Sequence, residues 1–583
     1  MGSPTATAAE TGAPGPLLRA ATRHSAGRLA AVALCSVAAS GAALTVPTAL
    51  GHAVDVLLSG GTDGSGAVLL CAALLAAEIG LDAAVAWLGG TATARSTAWL
   101  RHRGTRRLLA AAPHRAGSFG AGDLTTRLTA NTADAGTVPV TAVTVVTAAL
   151  PPVGALVALF AIDAWTAVAF LTGVPLLLLL LRTFVRGTAE SNAAYQRLQA
   201  AIAGRLGEAL AGARTIAAAG TGDRERDRVL SPLPELDAQG RRMWRVYGRA
   251  MARGGVLMPV LTTAVLAVGG LRLAAGQLSV GDLLALSRYA TLAAGVGTVT
   301  GALNALVRGR AAAHRAAALE ELPPLRHGGA CLPADGNGAL ELRDVVVDRD
   351  GKRLLDVPAL RLPGGTTTAV VGPSGAGKTL LAAVAGRLLD PDTGTVLLDG
   401  VPLPDLTYEE TRRAIGTAFA RPVLFGPTVE EALACGPRRP TPPEVREAAR
   451  AAGADGFVTL LPDGYRTRLD AAPLSGGERQ RLGLARAFVG GERLLIMDDA
   501  TSSLDTVTEQ QVNRALLSTV RAPTRLIVAH RPSCAALADT VVWLERGRIR
   551  ATGSHQQLWQ DPDYRANFTT TGPPVPTATG AEQ

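Results

Sequence analysis

The chain has 583 residues, 48% of them hydrophobic but only 4% aromatic, with 57 Lys+Arg against 48 Asp+Glu and a net charge of +9. Its length exceeds what one hydrophobic core organises, so several domains are expected, and its composition excludes a disordered chain, a collagen-like repeat and a disulfide scaffold. A mean hydropathy of +0.23 beside 18% charged residues implies that apolar and charged residues are segregated along the chain.

The segregation is visible in chain order. A helix needs about 20 mostly apolar residues to cross the hydrocarbon core. After an N-terminal segment, 1–28, the runs 29–54, 135–162, 164–181, 254–271 and 289–307 contain no Asp, Glu, Lys or Arg, and 64–94 contains only Glu78 and Asp82. Six membrane spans are expected within 29–308. The first run is longer than the apolar region of a signal peptide, so it is read as a span.

The long segments 95–127 and 186–253 are rich in arginine, including Arg101, Arg103, Arg106, Arg107, Arg224, Arg226 and Arg228, whereas the short alternate loops hold Asp55, Asp63, Asp163 and Asp282. The positive-inside rule then places both termini and the two long loops in the cytoplasm of a multi-pass cell-membrane protein. Much of the net charge is topological. The basic loops lack interleaved aromatics, so the expected contact is with a lipid bilayer and not with nucleic acid.

Glu78 and Asp82 lie one helical turn apart on the second span. Each is costly in lipid unless it faces a cavity or a partner, which makes the pair a candidate substrate path for a cation. The other reading is that the helix extends beyond the bilayer and the pair sits in water. The five cysteines, Cys35, Cys71, Cys331, Cys435 and Cys534, show no paired spacing and read as small hydrophobes.

Past a linker, 309–338, the pattern becomes short β-branched runs alternating with helical segments, so an α/β domain is expected over 339–568, followed by a disordered tail, 569–583. The strand-like run Thr366–Val371 leads into Gly372-Pro373-Ser374-Gly375-Ala376-Gly377-Lys378-Thr379. Here glycines let backbone N–H groups curl round an anion, Lys378 reaches the β/γ-phosphates of a nucleotide, and the Thr379 hydroxyl ligates Mg²⁺. Only two lysines occur among the basic residues, and Lys378 is one of them.

Next come Leu474-Ser475-Gly476-Gly477-Glu478-Arg479-Gln480-Arg481 at a helix start, the apolar strand Leu494–Met497 ending in Asp498-Asp499, then Ser502-Ser503-Leu504-Asp505 and Ala529-His530-Arg531. In order and spacing these resemble the signature loop, Walker B strand, D-loop and switch histidine of ATP-binding cassette (ABC) proteins. Six spans ahead of such a cassette resemble an ABC exporter half-transporter. The implied fold is a polytopic α-helical membrane domain of exporter plan followed by an α/β P-loop NTPase domain of ABC type.

The resemblance implies an ATP-driven transport ATPase that uses ATP and Mg²⁺ and exports a small molecule or peptide natural product. It implies that Asp498 and Thr379 hold the metal, that Asp499 and His530 serve hydrolysis, and that Ser475, Gly476, Gly477 and Glu478 meet ATP held on a second half-transporter, with Asp505 in the D-loop beside them. The segments Phe119–Arg127 and Gly212–Ala217 resemble those around the family's two coupling helices.

The chain also departs from the family pattern. Asp499 stands where the general base is normally glutamate, Ala420 where the Q-loop has glutamine, and Arg349 where an aromatic stacks on adenine. Because these losses fall on the chain's own site while its signature loop is intact, the resemblance points to the weakly hydrolytic half of a heterodimer. A slow homodimeric exporter and an importer on the exporter plan, for example for metal-chelate uptake, are the alternatives.

Overall fold

The computed structural model describes residues 13–59, 64–113, 117, 119–349, 351–502, 504–518, 520 and 522–569. Asp63, Ser503 and nearly all of the expected tail lie outside them. The chain divides into two compact units, one of Met1–Arg107 with Ala121–Glu321 and one of Leu108–Gly120 with Leu322–Gln583.

The first unit is helical. The five uncharged runs and the 64–94 run fall in helices: Ala26–Leu58, Gly64–Ala110, Thr132–Thr147 with Leu150–Ile162, Ala164–Ala211, Leu233–Ala274, and Val280–Ala293 with Val296–Ala317. Among the described residues, Ala26–Leu58, Gly64–Ala110 and Ala121–Ile162 are long and apolar enough to cross a membrane, and Ala164–Pro175 and Pro259–Ala274 are shorter apolar stretches. At 1.5 Å per residue the 47-residue helix Gly64–Ala110 runs about 70 Å, far beyond a hydrocarbon core of about 30 Å.

Two runs are broken. The helix ending at Thr147 restarts at Leu150, where Pro151 and Pro152 remove donors that Thr147 and Ala148 carbonyls would use. The run 289–307 is interrupted at Ala294–Gly295.

The acidic loop residues are structural anchors. Asp55 Oδ1 accepts the Gly281 N–H at 2.8 Å and its Oδ2 accepts the Ser279 hydroxyl. The backbones approach so closely there that a Cβ on Gly281 would lie 2.1 Å from the Gly51 carbonyl oxygen. Asp163, itself buried, pairs with Arg272 at 2.7 Å. Asp282 closes a capping box with Ser279 at the start of Val280–Ala293.

The second unit is α/β. An antiparallel sheet in the order β2-β1-β4-β5 is built from β1 (Leu340–Arg349), β2 (Lys352–Leu362), β4 (Thr393–Leu398) and β5 (Val401–Pro402). The other sheet has the order β10-β9-β3-β8-β7-β6, with β3 (Thr367–Val371), β6 (Ile415–Phe419), β7 (Leu494–Asp498), β8 (Thr524–Val528), β9 (Thr540–Glu545) and β10 (Arg548–Gly553). The strands from β9 to β6 run parallel, and only β10 is antiparallel. Parallel strands covered on both faces are nearly continuous apolar runs, and β3 is buried along its whole length as Thr-Thr-Ala-Val-Val.

Candidate nucleotide site

Register assembles the site. In the parallel sheet Val370 pairs with Val528, Val528 with Asp498, and Asp498 with Phe419. The carboxyl ends of β3, β8, β7 and β6 are thus adjacent, the edge where open α/β sheets bind ligands. Onto that edge fall Gly372–Thr379 after β3, His530 after β8, Asp498-Asp499 at the end of β7, and Ala420 after β6.

The loop after β3 needs its glycines. Gly375 and Gly377 have φ of +81° and +98°, the left-handed region that side chains avoid. A Cβ on Gly372 would meet the Leu544 carbonyl oxygen at 2.1 Å. Pro373, Ser374 and Ala376 complete the turn, and the helix Lys378–Ala385 starts directly behind it, so its free N–H groups and positive dipole end face the loop.

Inside the loop Lys378 Nζ donates to the carbonyls of Gly372 (2.6 Å) and Pro373 (3.0 Å). Thr379 Oγ1 donates to Asp498 Oδ1 at 3.0 Å although the two are far apart in sequence. Burial lowers the pKa of the Lys378 ammonium, with Asp499 and Asp498 opposing that shift. Burial likewise raises the Asp498 carboxyl, opposed by the Thr379 hydroxyl and reinforced by Asp499. A cation and a carboxylate that are both penalised by desolvation favour counter-ions, an anion for the first and a cation for the second. The residues therefore fit a nucleotide phosphate with a divalent ion. Among the described residues no group of three His, Cys, Asp or Glu side chains is placed to hold a metal ion.

Asp499 is half-buried and adopts φ +53°. Its carbonyl accepts the Ser502 hydroxyl at 3.0 Å and the Ser502 N–H at 3.3 Å. His530 is exposed and close enough to Asp498 to act on its titration. Ala420 is half-buried and its side chain offers no hydrogen-bonding atom.

The signature segment is a separate surface. Ser475 caps the helix Gly476–Val489 in a reciprocal capping box: Ser475 N–H donates to Glu478 Oε2 (2.7 Å) and Glu478 N–H to Ser475 Oγ (3.3 Å). The Ser475 amide holds the Glu478 carboxyl below its ordinary range. Asp505 caps the next helix through Thr508 N–H (3.1 Å) and Thr508 Oγ1 (2.6 Å), which lower its carboxyl.

Sequence reading gave no individual role to Gln480 or Glu509, and read Cys534 as a small hydrophobe. Arg531, beside His530, pairs with the buried Glu509 and donates to the Ser502 carbonyl at 3.3 Å. Cys534 Sγ donates to Glu509 Oε1 at 2.9 Å, and burial pushes that thiol up to about 12, so it is an inert packing group.

In the helical unit, Glu78 is half-exposed and Asp82 exposed. Phe119–Arg127 leads into the short helix Ala121–Thr126 and a π-helical turn, Arg127–Asn131, where buried Arg127 donates to Asp123 (2.8 Å) and to the Arg315 carbonyl (2.6 Å). Gly212–Ala217 enters the helix Ala213–Ala219, which edges an open groove of about 730 Å³ lined by Leu206, Leu210, Ile216, Val229 and Leu230.

Comparison with known proteins agrees with both units. Residues 29–295 match the ABC transporter transmembrane region and residues 355–502 match the ABC transporter cassette. The chain is 56% identical over 537 residues to the ABC transporter ATP-binding protein RamA of Streptomyces coelicolor, covering 92% of this chain and 84% of that one. It is 35% identical over 405 residues to a multidrug efflux ATP-binding/permease protein of Mycobacterium bovis, covering 67% of this chain and 33% of that protein. In fold it is similar to a bacterial Atm1-family ABC exporter solved with ATP bound, with a TM-score of 0.77 at 23% identity over 93% of this chain and 97% of that one. The chain belongs to the ATP-binding cassette transporters, as a multi-pass membrane transport ATPase of exporter type whose membrane region and cytoplasmic ATP-binding cassette are fused in one polypeptide.

Proposed function

We propose that the chain is the weakly hydrolytic half of a heterodimeric exporter, moving a small molecule or peptide natural product outward, with 29–308 as its membrane domain and 339–568 as its cassette. In its own site Gly372–Thr379 wraps the phosphates and Lys378 turns from its two carbonyls to the β/γ-phosphates. Thr379 and Asp498 hold Mg²⁺, which supplies charge neutralisation on the phosphates when bound. His530 contacts the γ-phosphate. Ser475, Gly476, Gly477 and Glu478, with Asp505, complete the site of the partner half-transporter.

The observation that carries this reading is the pairing of Asp499 with Ala420. The Asp499 carboxylate is one methylene shorter than glutamate, and the neighbouring strand end has no amide to orient water. Misplacing a general base costs about 10²–10⁴ in rate, so this site binds ATP but turns it over slowly. The full-length chain in nanodiscs is expected to bind ATP yet show little ATPase alone, and to gain it on assembly with a half-transporter bearing a glutamate base. Vigorous ATPase from the lone chain, abolished by Asp499→Asn, overturns the heterodimer.

Outward direction is supported by the multidrug-efflux name of one relative. Glu78 and Asp82 supply acidic groups on the path of a cationic cargo. Replacing them with Gln and Asn is expected to lower transport in vesicles several-fold with basal ATPase unchanged; unaltered transport removes them from the path.

A further inference from the structure

Gln480 occupies an unusual position for a residue that the proposed reaction does not use. It lies in the signature helix Gly476–Val489 and is 1% exposed. Its side-chain Nε2 lies 3.4 Å from the Ala420 carbonyl, 3.3 Å from the Asp499 carbonyl and 3.4 Å from Ser502 Oγ. Two amide hydrogens are thus shared among three acceptors, one at the end of β6 and two in the turn that follows β7. A buried amide in this situation is held in place, because its N–H donors would be left unsatisfied away from water if they lost these acceptors.

The surrounding packing makes the link stiff. Gly483, one turn further along the same helix face, stands so close to the segment after Ala420 that a Cβ there would lie 2.4 Å from Pro422 Cβ. The turn that Gln480 holds is closed from the other side by Arg531, which donates to the Ser502 carbonyl at 3.3 Å and to the Leu504 carbonyl at 3.5 Å. Asp499 sits at the start of this turn with its φ of +53°, in the left-handed region that aspartate tolerates better than most side chains. The signature helix and the Asp499 turn are therefore linked by the Gln480 amide as well as by apolar packing, with Leu482 and Ala485 buried in one cluster with Ala500 and Leu504.

We propose that Gln480 is a positioning residue that links the chain's two nucleotide surfaces, so that nucleotide held at Lys378 and Asp498 sets, through the Asp499–Ser502 turn, the placement of the signature helix that completes the partner's site. This rests on the reading that Ser475–Gly477 serves the partner's ATP. It gives a slow site a use: retained nucleotide props the helix on which the fast site depends. Coupling of this kind is reciprocal for binding and is carried by a packed, discrete element.

The test uses the assembled transporter in nanodiscs with ATP as the probe and Gln480→Met, which keeps the volume and removes the donors. ATPase kcat is expected to fall about tenfold with KM for ATP within about twofold and an unchanged thermal midpoint. Lys378→Ala in this chain is expected to lower kcat similarly, and the double variant to be no slower than the slower single one, because both cut the same link. Wild-type kcat in Gln480→Met, or single effects that multiply in the double variant, overturns the proposal. Ser475→Arg separates the two levels: if it abolishes ATPase while Gln480→Met does nothing, only the Gln480 link fails, and if it leaves ATPase intact the underlying reading fails and the link with it.

Discussion

Ser475→Arg or Gly477→Asp in the assembled transporter is expected to lower ATPase by about 10²–10³-fold while ATP binding to this chain's own phosphate loop is retained. The first places a long side chain, and the second a carboxylate, where the helix Gly476–Val489 presents its free N–H groups. Removing preorganised donors from a developing negative charge typically costs that much in kcat. Loss of the Ser475 cap alone would cost about 1 kcal/mol of stability, which cannot account for such a fall. Steady-state ATPase, fluorescent-nucleotide binding and a thermal melt separate the two effects. An active Ser475→Arg transporter would remove the signature loop from the reaction.

The second large effect follows from the proposed weakness of this chain's own site. Asp499→Glu combined with Ala420→Gln is expected to raise hydrolysis at this chain's own site by about 10²-fold, with Asp499→Glu alone giving less, because a general base also needs its water oriented. The backbone at Asp499 limits the gain: φ +53° suits aspartate better than glutamate, and the exchange costs about 1 kcal/mol of local stability. Single-turnover hydrolysis by the assembled transporter, with the partner's base neutralised, reads this site by itself. No gain from the double variant would show that something other than the base and the missing amide limits the site. On the heterodimer reading, in which the fast site draws its base from the other chain, Asp499→Asn should leave overall turnover nearly unchanged.

Much of this molecule is legible from local sequence because some residues permit only one environment. Long uncharged runs such as 29–54 have nowhere stable to go except a bilayer or a protein interior, and all are helical but for short breaks in two of them. The glycines of Gly372–Thr379 announce a loop that needs left-handed backbone, and the positive φ values at Gly375 and Gly377 are of that kind. Leu494–Met497 is apolar on both faces because its strand is covered on both sides. Pro151 and Pro152 could have signalled the break before Leu150, but a continuous hydropathy window does not register it.

What sequence alone could not reach is adjacency between distant segments. Thr379 meets Asp498 because β8 lies between β3 and β7 in the sheet order, and nothing near either residue encodes that order. Asp55 and Asp163 read only as acids of the short loops, yet one accepts Gly281 N–H where Gly51 and Gly281 let two helices approach closely, and the other pairs with Arg272. Gln480 was one letter in a motif until the packing of Gly483 against Pro422 brought its amide to Ala420, Asp499 and Ser502. Local sequence determines backbone preference and burial, which depend on a residue and its near neighbours. The company that a buried polar atom keeps is a property of strand order and helix approach, and the tertiary structure alone decided it.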